Sequence, residues 1–227
     1  MRNIPLVSDE YYHVFNRGVD RRTIVEDQLD VQRFMQSIVD FNVIEPIGSI
    51  YEKNVLLRAK QAKATIVGSL ASNGGANDLL VEFVAYCLNP NHFHFLLKQV
   101  ADRGIEQFMQ RLGTGYTKYF NLKHKRTGSL FQGTFKAIHV ESDEYLLHLS
   151  AYINLNNRVH KLSEESLLLH RSSWGEYVSN IGKQMCVKDI VLERFGQIDE
   201  YKKYAEDAVQ STIDGRASDE KRGLYVE

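Results

Sequence analysis

Apolar residues follow two spacings along the first half of the chain, and each spacing predicts a different kind of element. In residues 11–16, 80–88 and 92–98 they alternate with other residues or run continuously, which is typical of β-strands. In residues 28–42, and again after Gly104, they recur every three to four positions, as in amphipathic helices. Between these segments the pattern predicts a further helix over 51–72 and a loop over 72–77.

The second half of the chain continues this mixture. Residues 130–140 predict a pair of strands, and residues 143–157 predict a helix for which Ser142 is the N-cap. Short helices are expected over 187–195 and 199–209, whereas the polar residues from 211 onward are typical of a disordered tail. The order of elements predicts an α+β fold, in which an antiparallel sheet packs against helices on one side.

Two histidines in the strand over 92–98 are the first candidates for chemistry. Because successive side chains of a strand point to opposite faces, His92 and His94 share one face while Phe93 and Phe95 enter the core. Their Cα atoms should lie roughly 6–7 Å apart, close enough for both imidazoles to bind one metal ion. One core histidine and one surface histidine would fit the same pattern.

A tyrosine on the helix over 143–157 is the second candidate. Leu146, Leu149 and Ile153 form the apolar stripe of this helix, while His148, Tyr152 and Asn156 follow at steps of four along a neighbouring face. Tyr152 could act as a nucleophile or only pack beside the stripe. His148 could assist a proton transfer or only occupy a polar surface.

Composition limits the class of protein. With 43% hydrophobic and 25% charged residues, the 227-residue chain has the composition of a soluble globular protein. No apolar run approaches the ~20 residues of a membrane span, and the N-terminus lacks a secretory signal pattern. Two cysteines are too few for a disulfide framework, so we expect a cytoplasmic protein that does not contact membranes.

Charge is unevenly distributed. Residues 98–136 contain eight cations against two carboxylates, a net charge of +6 in a chain whose total is −1. This asymmetry predicts a basic face for nucleic acid, although a solvated helix and a basic turn would also produce it. Aromatic residues interleave with these cations and could stack on unpaired bases. They are Tyr116, Tyr119, Phe120, Phe131 and Phe135.

An ordered set of motifs resembles the REP-associated tyrosine transposases of the HUH single-tyrosine superfamily. The motifs are Tyr12-His-Val-Phe-Asn-Arg-Gly18 with Asp30, Ala85-Tyr-Cys-Leu-Asn-Pro-Asn-His-Phe-His94, Tyr116-Thr-Lys-Tyr-Phe-Asn121, Arg126-Thr-Gly-Ser-Leu-Phe-Gln-Gly133, Tyr152-Ile-Asn-Leu-Asn156 and Ser172-Ser-Trp-Gly-Glu-Tyr177. The similarity covers most of residues 11–180. Departures are Thr134 where the family has arginine, Asn157 where it has proline, and a longer connection over 48–78.

The resemblance implies an HUH-type catalytic domain with a ferredoxin- or RRM-like core over 1–160, in which 48–78 is an insertion. A helical C-terminal extension would cover 161–210 and a disordered tail 211–227. The implied reaction is cleavage and joining of single-stranded DNA through a 5′-phosphotyrosine on Tyr152. The resemblance also implies a cation, Mg²⁺ or Mn²⁺, held by His92, His94 and Asn156. By residue type alone, Tyr116, Tyr119 and Tyr145 are rival nucleophiles.

The expected partner is single-stranded DNA that forms a REP-like hairpin, bound in the bacterial cytoplasm near the nucleoid by a monomer or a homodimer. The residues expected to contact the DNA are Arg17, Lys98, Lys118, Lys123, Lys125, Arg126 and Lys136. Two other classes of function remain. A retired transposase could bind hairpins without cutting them, and a metal-dependent hydrolase could use the histidines, although Leu96 replaces the aspartate of the His-x-His-x-Asp hydrolase motif.

Overall fold

The computed structural model describes residues 5–48, 50, 79–179 and 184–221. Within these ranges the strands are β1 (Tyr11–Arg17), β2 (Val81–Leu88), β3 (His92–Gln99), β4 (Lys136–His139) and β5 (Arg171–Ser172). The α-helices are α1 (Gln28–Asp40), α2 (Gly104–Lys123), α3 (Asp143–Asn154), α4 (Asn156–Val159), α5 (Glu164–Leu169), α6 (Trp174–Val178), α7 (Asp189–Leu192) and α8 (Ile198–Lys221). The predicted helix over 51–72, the loop over 72–77 and nearly all of the expected insertion lie outside the described residues.

The five strands form one sheet in the order β4-β1-β3-β2-β5, and every neighbouring pair is antiparallel. The predicted α+β class with an antiparallel sheet is therefore confirmed. The predicted strand pair over 130–140 is wrong, because only β4 forms there. Gly133 has a φ of +66°, which turns the chain out of the extended conformation before β4 begins.

One face of the sheet carries an aromatic core under α1 and α2. Phe93 and Phe95 of β3 point into this layer, where the Phe34 ring of α1 lies 5.5 Å from that of Phe93. Tyr116 of α2 meets Phe34 edge to face at 4.9 Å. Such edge-to-face pairs stabilise a core beyond the burial of their area. This layer agrees with the helical periodicity of the sequence.

Helices also cover the opposite face, so the expectation of helices on one side only is wrong. The Tyr152 ring of α3 lies 5.7 Å from that of His94, which points away from Phe93. Helix α8 packs on α3 in turn, and its Tyr201 hydroxyl accepts a hydrogen bond from Asn154 Nδ2 of α3 at 2.9 Å. The reason is that β2 is buried along almost its whole length, which requires cover on both of its faces.

The C-terminal extension is helical, as expected, and it packs onto this second layer. Ser173 Oγ accepts from the Tyr86 backbone N–H of β2 at 3.0 Å and donates to Asn154 Oδ1 of α3 at 2.5 Å. Helix α8 continues to Lys221, into the segment expected to be a disordered tail, and 222–227 lie outside the described residues, so the disorder of the tail stays a prediction. The division into domains at residue 160 stays a prediction. No α-helix in the described ranges is long and apolar enough to cross a membrane.

Candidate active site

The histidine pair lies on the α3 side of the sheet, as the alternation of β3 predicts. His94 is buried, His92 is partly exposed, and their ring centroids are 5.2 Å apart. Across β1, Phe15 is the register partner of His94 and Arg17 is that of His92. The pair therefore sits at the end of β3 where β1 also ends.

Neighbouring amides orient the His92 imidazole. Asn91 Oδ1 lies 2.6 Å from His92 Nδ1, and because a carbonyl oxygen can only accept, Nδ1 carries the proton and donates. The lone pair is then on Nε2, which lies 3.2 Å from Asn156 Oδ1 and 2.8 Å from Asn89 Nδ2. A histidine whose second nitrogen is held in this way is oriented as metal ligands are.

Asn156 reaches His92 through a break in the predicted helix. The expected continuous helix over 143–157 is wrong, since α3 ends at Asn154 and Leu155 has φ −111° and ψ 24°. Asparagine favours helix ends over helix interiors, which explains the break in this Asn-rich segment. Ser142 does cap α3, accepting from the Tyr145 N–H at 3.2 Å. Asn156 then begins α4, fully buried, and its Nδ2 has no hydrogen-bond partner in the described part of the chain.

His94 has a partner that the sequence interpretation missed. Its Nδ1 lies 2.8 Å from His13 Nε2 of β1, and both rings are buried. Burial lowers the pKa of His13 to about 4, so the His13 imidazole is neutral near pH 7. The signal was present: Tyr12 and Val14 are apolar and buried, so His13 must point to the other face of β1.

Among the tyrosines that the structure describes, Tyr152 lies next to the histidine pair. Its half-buried ring is 5.7 Å from that of His94 and 6.4 Å from that of His13. His148 is exposed, one turn earlier on α3. The Tyr152 ring and the His92–Asn156 pair therefore face the same space, although they belong to α3, β3 and α4.

The rival tyrosines lie elsewhere. Tyr116 is fully buried between α1 and α2, where its hydroxyl donates to the Ile24 carbonyl at 2.6 Å. Tyr119 of α2 is 3.2 Å from Asp30 Oδ1 on the same side of the sheet. Tyr145 is on α3 but two turns before Tyr152, and its side chain is 36% exposed.

Two further histidines surround the site from the segment after α4. The His160 ring lies 4.7 Å from that of His92. His170 Nδ1 donates to Asn89 Oδ1 at 2.8 Å, and burial lowers the pKa of His170 to about 4, which keeps it neutral. No local pattern points to either residue, because only the return of the chain towards β5 brings them here.

The residues at this site fit a divalent cation. Ligands at adjacent positions of an octahedral Mg²⁺ shell, each about 2.1 Å from the ion, are about 3 Å apart. His92 Nε2 and Asn156 Oδ1 are separated by 3.2 Å, and the unpartnered Asn156 Nδ2 leaves the amide oxygen as the end turned towards His92. In the described residues no three His, Cys, Asp or Glu side chains form a metal cluster.

Two of the expected DNA-binding cations lie beside this site. Arg17 of β1 lies opposite His92 on the neighbouring strand β3, and its Nε donates to Gln132 Oε1. Lys136 Nζ of β4 is 5.9 Å from the centroid of the Phe15 ring, which in turn lies 5.4 Å from that of His94. Both cations therefore lie on the same side of the sheet as the histidine pair.

The other five cations expected to bind DNA are more dispersed. Lys98 is four residues beyond His94 on β3, roughly 13 Å along the strand, and pairs with Asp9 at 3.1 Å. Lys123 contacts both Asp27, at 2.6 Å, and the buried Asp30, at 2.7 Å. Lys118, Lys125 and Arg126 are on α2 or just after it, on the far side of the sheet, and Arg126 donates to Asn121 Oδ1 at 2.6 Å. The net charge of residues 98–136 therefore predicts a more continuous basic face than the structure has.

The aromatic residues of this segment serve the core more than the surface. Tyr116, Phe120 and Phe131 are buried, so the expectation that they stack on bases is wrong for these three. Phe135 remains half-exposed and lines a cavity of about 680 Å³ together with Lys118 of α2. This cavity opens between α2 and the loop that precedes β4.

Residues 58–156 match the sequence model of the family described as "Transposase IS200 like". This range includes the histidine pair, Tyr152 and Asn156. The solved structure of a REP-associated tyrosine transposase bound to a REP hairpin is similar in fold, with a TM-score of 0.50 and 12% identity over 87% of this chain and 92% of that chain. No curated protein matches the chain in sequence. The resemblance to single-tyrosine transposases is confirmed, and the chain shares their fold.

Proposed function

We propose that the protein is a transposase that cleaves and rejoins single-stranded DNA at a hairpin-forming, REP-like sequence, with Tyr152 as its nucleophile. The observation that carries the proposal is the position of the Tyr152 ring, 5.7 Å from the His94 ring and on the same face as the His92–Asn156 pair. An IS200-like transposase match over 58–156 and a neighbour solved with a REP hairpin support the class of reaction and substrate.

His92, His94 and Asn156 are the residues that would hold the cation. A mixed set of imidazole nitrogen and amide oxygen with open positions suits Mg²⁺ or Mn²⁺. When bound, the cation would polarise the scissile phosphate and neutralise charge that develops on it. Asn91 contributes by holding His92 in the tautomer whose Nε2 carries the lone pair.

Tyr152 would perform the covalent step. Its Oη attacks phosphorus, the bond from phosphorus to the 3′ oxygen breaks, the phenol loses a proton, and the departing 3′ oxygen gains one. The 5′ phosphate then remains on the tyrosine. Because a 3′-hydroxyl can attack the phosphotyrosine and reverse these changes, the strand is rejoined without a nucleotide cofactor.

Arg17 and Lys136 would bind the phosphates that flank the scissile bond, since both cations lie beside the histidine pair. Lys118 and Phe135 line the cavity near α2, where an unpaired base could stack on the partly exposed ring. The rings of Tyr152 and His94 lie 5.7 Å apart within one chain, so a monomer would suffice to form the proposed site.

A hairpin-binding protein without catalysis is the second candidate. It is favoured by one observation: Asn89 Nδ2 hydrogen-bonds both His92 Nε2 and Asn156 Oδ1, the two atoms that would bind the cation. Two departures from the family pattern also permit it: Thr134 replaces an arginine expected near DNA, and Asn157 replaces a proline.

Denaturing electrophoresis separates the two candidates. A labelled single-stranded hairpin is incubated with Mn²⁺ and the protein, and a transposase gives a slower covalent protein–DNA band that Tyr152→Phe lacks. Tight hairpin binding with no covalent band from the wild type would establish the non-catalytic candidate. A band that persists in Tyr152→Phe would reject Tyr152 as the nucleophile.

A further inference from the structure

The Asn89 carboxamide occupies a third position beside the two proposed ligand atoms. Its Nδ2 lies 2.8 Å from His92 Nε2 and 2.6 Å from Asn156 Oδ1, while those two atoms are 3.2 Å apart. The three atoms therefore form a small triangle with sides between 2.6 and 3.2 Å. Asn89 is fully buried at the turn between β2 and β3.

This triangle has the dimensions of one face of an octahedral coordination shell. Three adjacent ligands of Mg²⁺ or Mn²⁺ are about 3 Å from one another. The end of the Asn89 side chain is therefore where a third ligand would stand, with His94 available for another position. What stands there now is a donor, an NH₂ group whose hydrogens satisfy the lone pairs of the other two atoms.

The other end of the same amide is an oxygen. Asn89 Oδ1 accepts from His170 Nδ1 at 2.8 Å, and the Asn89 N–H donates to the His92 carbonyl at 2.8 Å, which fixes the backbone. A half-turn of the carboxamide about χ2 exchanges oxygen and nitrogen without displacing other atoms. His170 can serve both orientations, because a neutral imidazole nitrogen donates in one tautomer and accepts in the other.

We propose that Asn89 is a ligand of the cation through Oδ1, which it presents by a half-turn of its carboxamide, while His170 exchanges its role from donor to acceptor. Without the cation, the Nδ2 group satisfies His92 Nε2 and Asn156 Oδ1. The inference rests on the proposed function, since it assumes that a cation binds at His92 and Asn156.

The test measures Mn²⁺ binding by the full-length protein without DNA, from the loss of the free-ion electron paramagnetic resonance signal. Asn89→Leu removes the amide at similar volume and should weaken Mn²⁺ binding at least about 10- to 100-fold, since losing only an outer-shell partner of a metal ligand already costs that much. Asn89→Asp retains the oxygen, adds a charge and should bind Mn²⁺ at least as tightly as the wild type.

Equal or tighter Mn²⁺ binding by Asn89→Leu would overturn the inference, since the amide would then only compete with the ion. If circular dichroism finds that Asn89→Leu is not folded, Asn89→Asp decides, because an isosteric carboxylate that weakens binding rejects an oxygen ligand at this position. His92→Ala separates this result from failure of the proposed function. Lost binding in His92→Ala with unchanged binding in Asn89→Leu overturns only the role of Asn89, whereas unchanged binding in His92→Ala overturns the cation site itself.

Discussion

Replacing His13 with phenylalanine removes one hydrogen bond and leaves the packing of the ring almost intact. His13 Nε2 lies 2.8 Å from His94 Nδ1, and the His13 ring is tilted against that of Phe15 with 4.7 Å between their centroids. If His94 binds the cation through Nε2, its Nδ1 carries the proton and donates to His13. His13 is then a positioning residue that fixes the tautomer and the angle of a ligand, as second partners of metal-bound histidines do.

Two magnitudes follow from this geometry. The His94 Nδ1–H of the variant is left in a buried environment without the His13 acceptor, which costs about 1–3 kcal/mol of the free energy of unfolding. In a chain of 227 residues each kcal/mol lowers Tm by about 2–4 °C. Loss of orientation should weaken binding of the cation about 10- to 100-fold.

The assay is formation of the covalent protein–DNA band as a function of Mn²⁺ concentration. His13→Phe should require about 10- to 100-fold more Mn²⁺ for half-maximal rate and should approach the wild-type rate at saturation, because Tyr152 is unchanged. A merely structural role would lower the amount of folded enzyme without moving the half-maximal concentration. An unchanged Mn²⁺ dependence in folded His13→Phe would refute the positioning role.

Three further predictions use the same purified protein. Tyr152→Phe should bind the hairpin and form no covalent band, whereas Tyr116→Phe should form it but lose about 1–3 kcal/mol of stability in urea unfolding, because its hydroxyl donates to a buried carbonyl. Arg17→Ala and Lys136→Ala should each flatten the log–log dependence of single-strand affinity on salt by about 0.7, and unchanged slopes would place the phosphates elsewhere. Lys123→Met should leave the salt dependence of affinity unchanged, because the Lys123 ammonium is paired with two carboxylates. It should lower the free energy of unfolding by about 1.5–3 kcal/mol, and a flatter salt dependence in this variant would contradict the ion pairs.

Short-range patterns in the sequence were sufficient to predict the elements that carry the candidate site residues. Alternation along β3 predicts that His92 and His94 share a face, and Ser142 predicts where α3 begins. These features follow from residues one to four positions apart, whose relative directions are set by the backbone geometry of a strand or a helix. The choice of Tyr152 over Tyr116 and Tyr119 came from the motif resemblance, and the structure separates them by opposite faces of the sheet.

The partners of those residues depended on the tertiary structure. The sequence indicates only a turn at Asn89. His13 and His170 each lie 81 residues along the chain from the side chain to which they hydrogen-bond. Net charge likewise counts Lys123 as available for DNA, because no local pattern reveals a partner more than ninety residues earlier at Asp27 and Asp30. A sequence specifies the direction of each side chain within its own element, but which distant side chain it meets is decided only when the sheet order and the packing of both faces bring the elements together.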